Sequence, residues 1–209
     1  MAAKKSDPSV DERSVARSSD VGPSAEKIKK LLTNKALHYL GRYASTSARL
    51  EVVLRKFAGR KLEQADPVLL DKGIRDVIES CIRLGYIDDA AFIRSQFRQG
   101  LRSGHSQRRI LLKLAQKGIS RDLALSVLQD SDDDALPDDK TELAAALIYA
   151  RKKSIGPFAS TPPSCPEVKK KHMGRLARNG FSFDVVRKVM ALASAEDADT
   201  LLDEVYPHR

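Results

Sequence analysis

The chain has 209 residues, 42% of them hydrophobic but only 5% aromatic and none of them Trp, so a core can form but must be built from Leu, Ile, Val and Ala in small units. A formal net charge of +9 directs attention to polyanions and acidic partners, and no apolar run approaches the roughly 20 residues of a membrane span. The opening Met1 to Pro8 lacks the apolar stretch of a secretory signal, which predicts a cytoplasmic protein in which Cys81 and Cys165 stay reduced.

Residues 1–24 mix Ser, Asp, Lys, Arg, Pro and Gly, a composition that cannot offset its ordering entropy and predicts a disordered tail. Ser24 then stands as a cap before Ile28, Leu31, Leu32, Ala36, Tyr39, Leu40 and Tyr43, whose spacing predicts a helix to about residue 44. Thr46 with Leu50 and Leu54 predicts a second helix over 47–57. Asp66-Pro67 is a cap followed by the Pro favoured at the first helical position, and the apolar stripe from Val68 to Leu84 runs on to Gly85, with Gly73 as its weak point.

Gly85 closes that helix, Ile87 can staple, Asp88 can cap, and Asp89 falls in the first turn of a helix that Gly104 stops. Asp88-Asp89 also invites an acid/base reading, but a cap and a first-turn acid account for it more simply. Ser106, Ile110 and Leu114 open the next helix, Gly118 ends it, and Ser120 caps a last one through Leu128. An acidic linker follows at 132–140. Its Asp132, Asp133 and Asp134 resemble metal ligands only superficially, since no His, Glu or second carboxylate cluster accompanies them at a useful spacing. Leu143, Ala146, Leu147 and Ala150 predict a helix ending near Gly156-Pro157, and a loop of Ser, Thr and Pro reaches Pro166. No stretch alternates with period two, so no sheet is predicted.

A repeat underlies this order. Leu114, Gly118, Ile119, Ser120, Asp122 and Leu123 return 62 residues later as Leu176, Gly180, Phe181, Ser182, Asp184 and Val185. Each copy reads as helix end, glycine turn and capped helix start. A fainter copy lies 60 residues upstream, where Thr46, Leu50 and Leu54 match Ser106, Ile110 and Leu114 but Ala58 replaces the glycine. Units of this length stack because none can bury its apolar face alone. The expected architecture is all-α, with helical repeats at 25–75, 76–131 and 141–209, the last with an acidic C-terminal end.

Charge is uneven along these units, at +7 over 25–75, +3 over 76–131 and −1 over 132–209. From Ile93 to Arg121 the chain carries Arg94, Arg98, Arg102, Arg108, Arg109, Lys113, Lys117 and Arg121 with no Asp or Glu. Arg94, Arg98 and Arg102 fall four apart on one helix, and Arg109, Lys113 and Lys117 do so on the next, so two facing basic stripes are expected. Solvated helix faces usually interleave acids for i,i+4 pairs, and these do not. Lys169, Lys170, Lys171, Arg175 and Arg178 repeat the theme in the third unit. No recognition helix rich in Asn, Gln and Arg stands out beyond Gln107-Arg108-Arg109, which favours sequence-independent backbone contact.

Chemistry is poorly provided for. His38, His105, His172 and His208 are scattered, no CxxC or HxxxE pairing offers a metal site, and no glycine-rich phosphate loop occurs, so no catalytic residue, metal or cofactor is expected.

Gly85-Tyr86-Ile87-Asp88-Asp89 with Phe92, the basic helix after it, Ser106 to Ile110 and Lys117-Gly118-Ile119 resemble the RecX family of bacterial recombination regulators. Tyr39-Leu40 with Arg42, Arg49-Leu50, and Arg178 to Val185 resemble the family's first and third repeats. The resemblance covers about residues 26 to 192. It departs at Ala58, at Asn179 where a basic residue is common, and at Arg175 where an aromatic is common. It implies three tandem three-helix repeats in an elongated, curved arrangement. It further implies a monomeric regulator that binds the RecA recombinase and its single-stranded DNA filament and restrains ATP hydrolysis, strand exchange, DNA repair and the SOS response. The alternative is a sequence-independent DNA-binding module, on single strands or duplex, acting without RecA.

Overall fold

The computed structural model describes residues 22–130, 139–160 and 165–207. Most of the predicted tail, residues 1–21, and most of the acidic linker, Asp132 to Asp134 included, lie outside them. Among the described residues there are ten α-helices, one short 3-10 turn at Gly156–Phe158 and no strand.

The first unit consists of α1 (Ala25–Leu40), α2 (Ser47–Lys61) and α3 (Pro67–Arg83). Ser24, Thr46 and Asp66 each accept a hydrogen bond from the first turn of the helix that follows. The first helix stops at Leu40 rather than near 44, because the Gly41 and Arg42 N–H groups turn back onto Leu37 and Tyr39 carbonyls. The second continues past 57 to Lys61. Ala58, aligned with the turn glycines, is a buried helical residue, and alanine is the residue that most favours that state.

Gly73 is a point of close approach in α3. A Cβ there would stand 3.3 Å from both Ile28 Cγ2 and Leu32 Cδ1 of α1, so its bare backbone lets the two helices pack along each other. The division at 75/76 cuts through α3, which is continuous to Arg83 and packs on α1 and α2. Ile87 is buried in this unit's core too, so the first unit reaches residue 87.

The second unit is α4 (Asp89–Arg102), α5 (Gln107–Ala115) and α6 (Arg121–Gln129). The third is α7 (Asp139–Lys153), α8 (Pro166–Arg178) and α9 (Phe183–Ala191), followed by α10 (Ala195–Val205). Asp139 and Lys140, assigned by sequence to the linker, form the first residues of α7. The acidic C-terminal end is itself a helix, opened by a reciprocal capping box between Ser194 and Asp197.

Two cores result. One holds α1 to α3 with Ile87. The other runs from Ile93 to Leu202 and joins the second and third units into one body. Its centre is α7, whose Ala144, Ala145, Ala146, Leu147, Ile148 and Ala150 are buried because α4, α9 and α10 cover it on several sides. Small side chains on α7 allow that close approach.

Candidate partner and nucleic-acid interface

The units meet through the same bonds twice. Thr46 caps α2 and donates its hydroxyl to the Lys117 carbonyl at 2.9 Å; Ser106 caps α5 and donates to the Asn179 carbonyl at 2.6 Å. The acceptor is in each case the residue before a turn glycine of the next unit. A carboxylate from the next unit's first helix completes the joint. Asp89 accepts the Ser47 N–H at 2.9 Å and its hydroxyl at 2.5 Å, and Glu142 accepts the Gln107 N–H at 3.1 Å. Thr46, Ser106 and Asn179 are the buried polar residues among the described ones, and all three sit at these joints.

The turn glycines are held there by both conformation and space. Gly118 and Gly180 have φ of 83° and 95°, in the left-handed region. A Cβ on Gly118 would fall 2.6 Å from Ala48 Cβ, and one on Gly180 would fall 2.6 Å from Ser106 Oγ. Gly85 and Gly104 also adopt positive φ, while Asp88, Ser120 and Ser182 cap α4, α6 and α9.

The basic residues stand mostly on the surface. Arg98, Arg102, Arg108, Arg109, Lys113, Lys117, Arg121, Lys169, Lys170, Lys171, Arg175 and Arg178 are exposed, and Arg94 is half-buried. The two stripes of the second unit do not face each other. On α4 the arginines lie one position round from buried Ile93, Phe97 and Leu101, whereas the edge toward α5 carries Gln96, Gln99 and Ser103. Those residues line a cavity of about 230 Å³ with His105 and Lys113. Lys117 reaches α4 at Gln96, 3.4 Å away, and lies 4.8 Å from the centre of the Phe92 ring. Arg102 sits 5.9 Å from the Tyr206 ring centre beyond α10.

One cluster does form across units. Arg108 and Arg109 of α5 meet Arg178 of α8 around a groove of about 370 Å³, completed by Leu112, Ala177, Asn179 and Gly180. Arg109 donates to the Asn179 side-chain oxygen, and Asn179 donates in turn to the Gly104 carbonyl at 3.4 Å. Arg94, Arg98, Arg102, Arg121 and Lys169 to Lys171 do not line it. Sequence reasoning missed the joint residues Thr46, Asn179 and Glu142. Only the four-residue spacing after Thr46 and Ser106 signalled them, and it read as capping alone.

Titration is shaped by burial. Burial, then Lys113 and Arg109, push the His105 imidazole below its usual value, and its Nδ1 is buried without a hydrogen-bond partner. Burial, with Arg175 and Lys171, also lowers His172, whose Nδ1 accepts the Gly156 N–H at 3.3 Å. Glu142 is raised by burial, against a smaller opposing effect of its bond from Gln107. No group of three or more His, Cys, Asp or Glu among the described residues is placed to hold a metal, and no described helix is long and apolar enough to cross a membrane.

The fold and this surface define an all-α protein of tandem three-helix units with an extensive exposed set of basic side chains. Residues 88–128 match the family model described as RecX, second three-helix domain. The chain is 33% identical over 170 residues to regulatory protein RecX of Agrobacterium fabrum, covering 81% of this chain and 87% of that one. It is 32% identical over 164 residues to its counterpart in Myxococcus xanthus, covering 76% and 83%. The crystal structure of RecX from Lactobacillus salivarius superposes with a TM-score of 0.62 at 22% identity, over 84% of this chain and 99% of that one, which supports the fold. The chain belongs to the RecX family of regulatory proteins. Members of the family are regulators rather than enzymes.

Proposed function

We propose that this protein binds the RecA recombinase on single-stranded DNA and lowers its ATP hydrolysis and strand exchange, acting in the cytoplasm as a monomer. The observation that carries this reading is the basic surface of two consecutive units, eight positive side chains without an acid from Ile93 to Arg121 and a further set on α8, in a chain of this family. Tandem units suit a filament because both present contacts at intervals along an axis. Exposed Lys and Arg give sequence-independent contact with phosphates and acidic protein surfaces, and the binding weakens as salt rises.

The test is RecA ATP hydrolysis on single-stranded DNA as the protein is added at low salt. Hydrolysis should fall with concentration, and unchanged hydrolysis with folded protein refutes the proposal. Replacing Arg94, Arg98 and Lys113 by Glu should weaken filament binding without unfolding. Arg109 is left out of that set because it also holds the joint to Asn179.

A further inference from the structure

The second joint carries two arginines, Arg108 and Arg178, that the first lacks, although the two joints share their architecture. Where Arg108 and Arg178 stand, the first joint has Ala48 and Gln116, at offsets of 60 and 62 residues. The shared hydroxyl-to-carbonyl and carboxylate-to-N–H bonds form with or without those arginines. Joint packing therefore does not demand them. Three guanidinium groups around one groove, with no acidic side chain lining it, call for an oxyanion ligand.

The groove's other wall indicates which kind. Leu112 is 59% exposed beside the arginines, with Ala177 near it, and no aromatic side chain lines the groove. Surfaces that take single-stranded nucleic acid combine positive charge with aromatic rings on which bases stack. An aliphatic wall offers no such platform, but it does fit an apolar side chain between carboxylates. Arg109 is oriented in advance by Asn179, which reduces the ordering cost of binding.

We infer that the groove formed by Arg108, Arg109, Leu112 and Arg178 docks a short protein segment in which Asp or Glu residues flank a Leu or Ile. The inference takes from the proposed function only that the partner contains both protein and nucleic acid. It assigns this groove to the protein side.

The experiment uses the full chain and two fluorescein-labelled acidic peptides that differ in a central Leu or Ser, with labelled oligo(dT) as a third probe, all followed by anisotropy. The Leu peptide should bind roughly tenfold more tightly than the Ser peptide, the effect of covering one aliphatic side chain. Leu112→Ser should erase that preference while changing oligo(dT) affinity by less than about twofold, and Arg178→Ala should weaken both peptides. Both side chains are exposed, and circular dichroism checks that the variants fold. Equal affinity for the two peptides overturns the inference. So does loss of oligo(dT) binding in both variants with no peptide binding, which assigns the groove to nucleic acid. Inhibition of recombinase ATP hydrolysis by the wild type, measured in parallel, reports on the proposed function separately.

Discussion

Gly180→Ala tests the joint most directly. Its φ of 95° costs an alanine about 1–2 kcal/mol. The new Cβ would also lie 2.6 Å from Ser106 Oγ and 3.4 Å from Arg108 Cβ. The serine cannot move freely, because its hydroxyl donates to Asn179 and accepts from the Arg109 N–H. Displacing it loses a buried hydrogen bond and a helix cap, about 1 kcal/mol each. The total is about 3–4 kcal/mol. Gly85→Ala is the control, since Gly85 has φ of 74° and nothing within 4 Å of its added Cβ. That variant should bear only the backbone cost, and the effect of the methyl group on the unfolded chain is shared by both. Urea unfolding followed by far-UV circular dichroism should place Gly180→Ala about 2 kcal/mol below Gly85→Ala. If the two variants lose equal stability, Ser106 yields without cost and the joint is not held as described.

Ala58→Gly should cost about 1 kcal/mol in the same assay, because the site is buried helix rather than a turn, and a neutral result would restore the turn assignment. Glu142→Gln should keep or slightly raise stability at neutral pH while Glu142→Ala lowers it. The raised carboxyl means that folding disfavours the ionised form, so stability contributed at this site grows as pH falls from its folded value toward the ordinary carboxylate range; greater loss in Gln than in Ala would refute this. His105 and His172 give the opposite sign. Their folded values lie below the usual imidazole value, so stability present above that value declines as pH falls through the window between the two. A melting temperature that held or rose over that window in wild type, relative to a His105→Gln, His172→Gln variant, would contradict it.

Helices and caps were legible because they depend on local chemistry. Ser106, Ser120 and Ser182 each precede a helix by one residue, and Gly118 and Gly180 each follow one at a spacing that only a turn satisfies. What one unit does to the next was not legible. A capping Ser has the same sequence whether its hydroxyl points to water or to the Asn179 carbonyl, 73 positions away. The stripe on α4 was correctly periodic, but periodicity does not say which flank borders α5, and Gln96 rather than Arg98 proved to be there. The last helix was not read from the sequence, where its residues stood only as an acidic end. Ala198 and Leu202, buried against the shared core, are what make it part of the fold.

The joints behave as sockets and plugs, and neither end of the array supplies the missing half. A socket needs a hydroxyl at the cap and an N–H at the first helical residue, as Thr46-Ser47 and Ser106-Gln107 provide. At α8 those places fall to Cys165, which makes no side-chain cap bond, and Pro166, which has no N–H to give. A plug needs the glycine turn, and α2 runs straight through Ala58 instead. The interface that repeats within the chain therefore lacks its glycine turn at α2 and its cap hydroxyl and first N–H at α8.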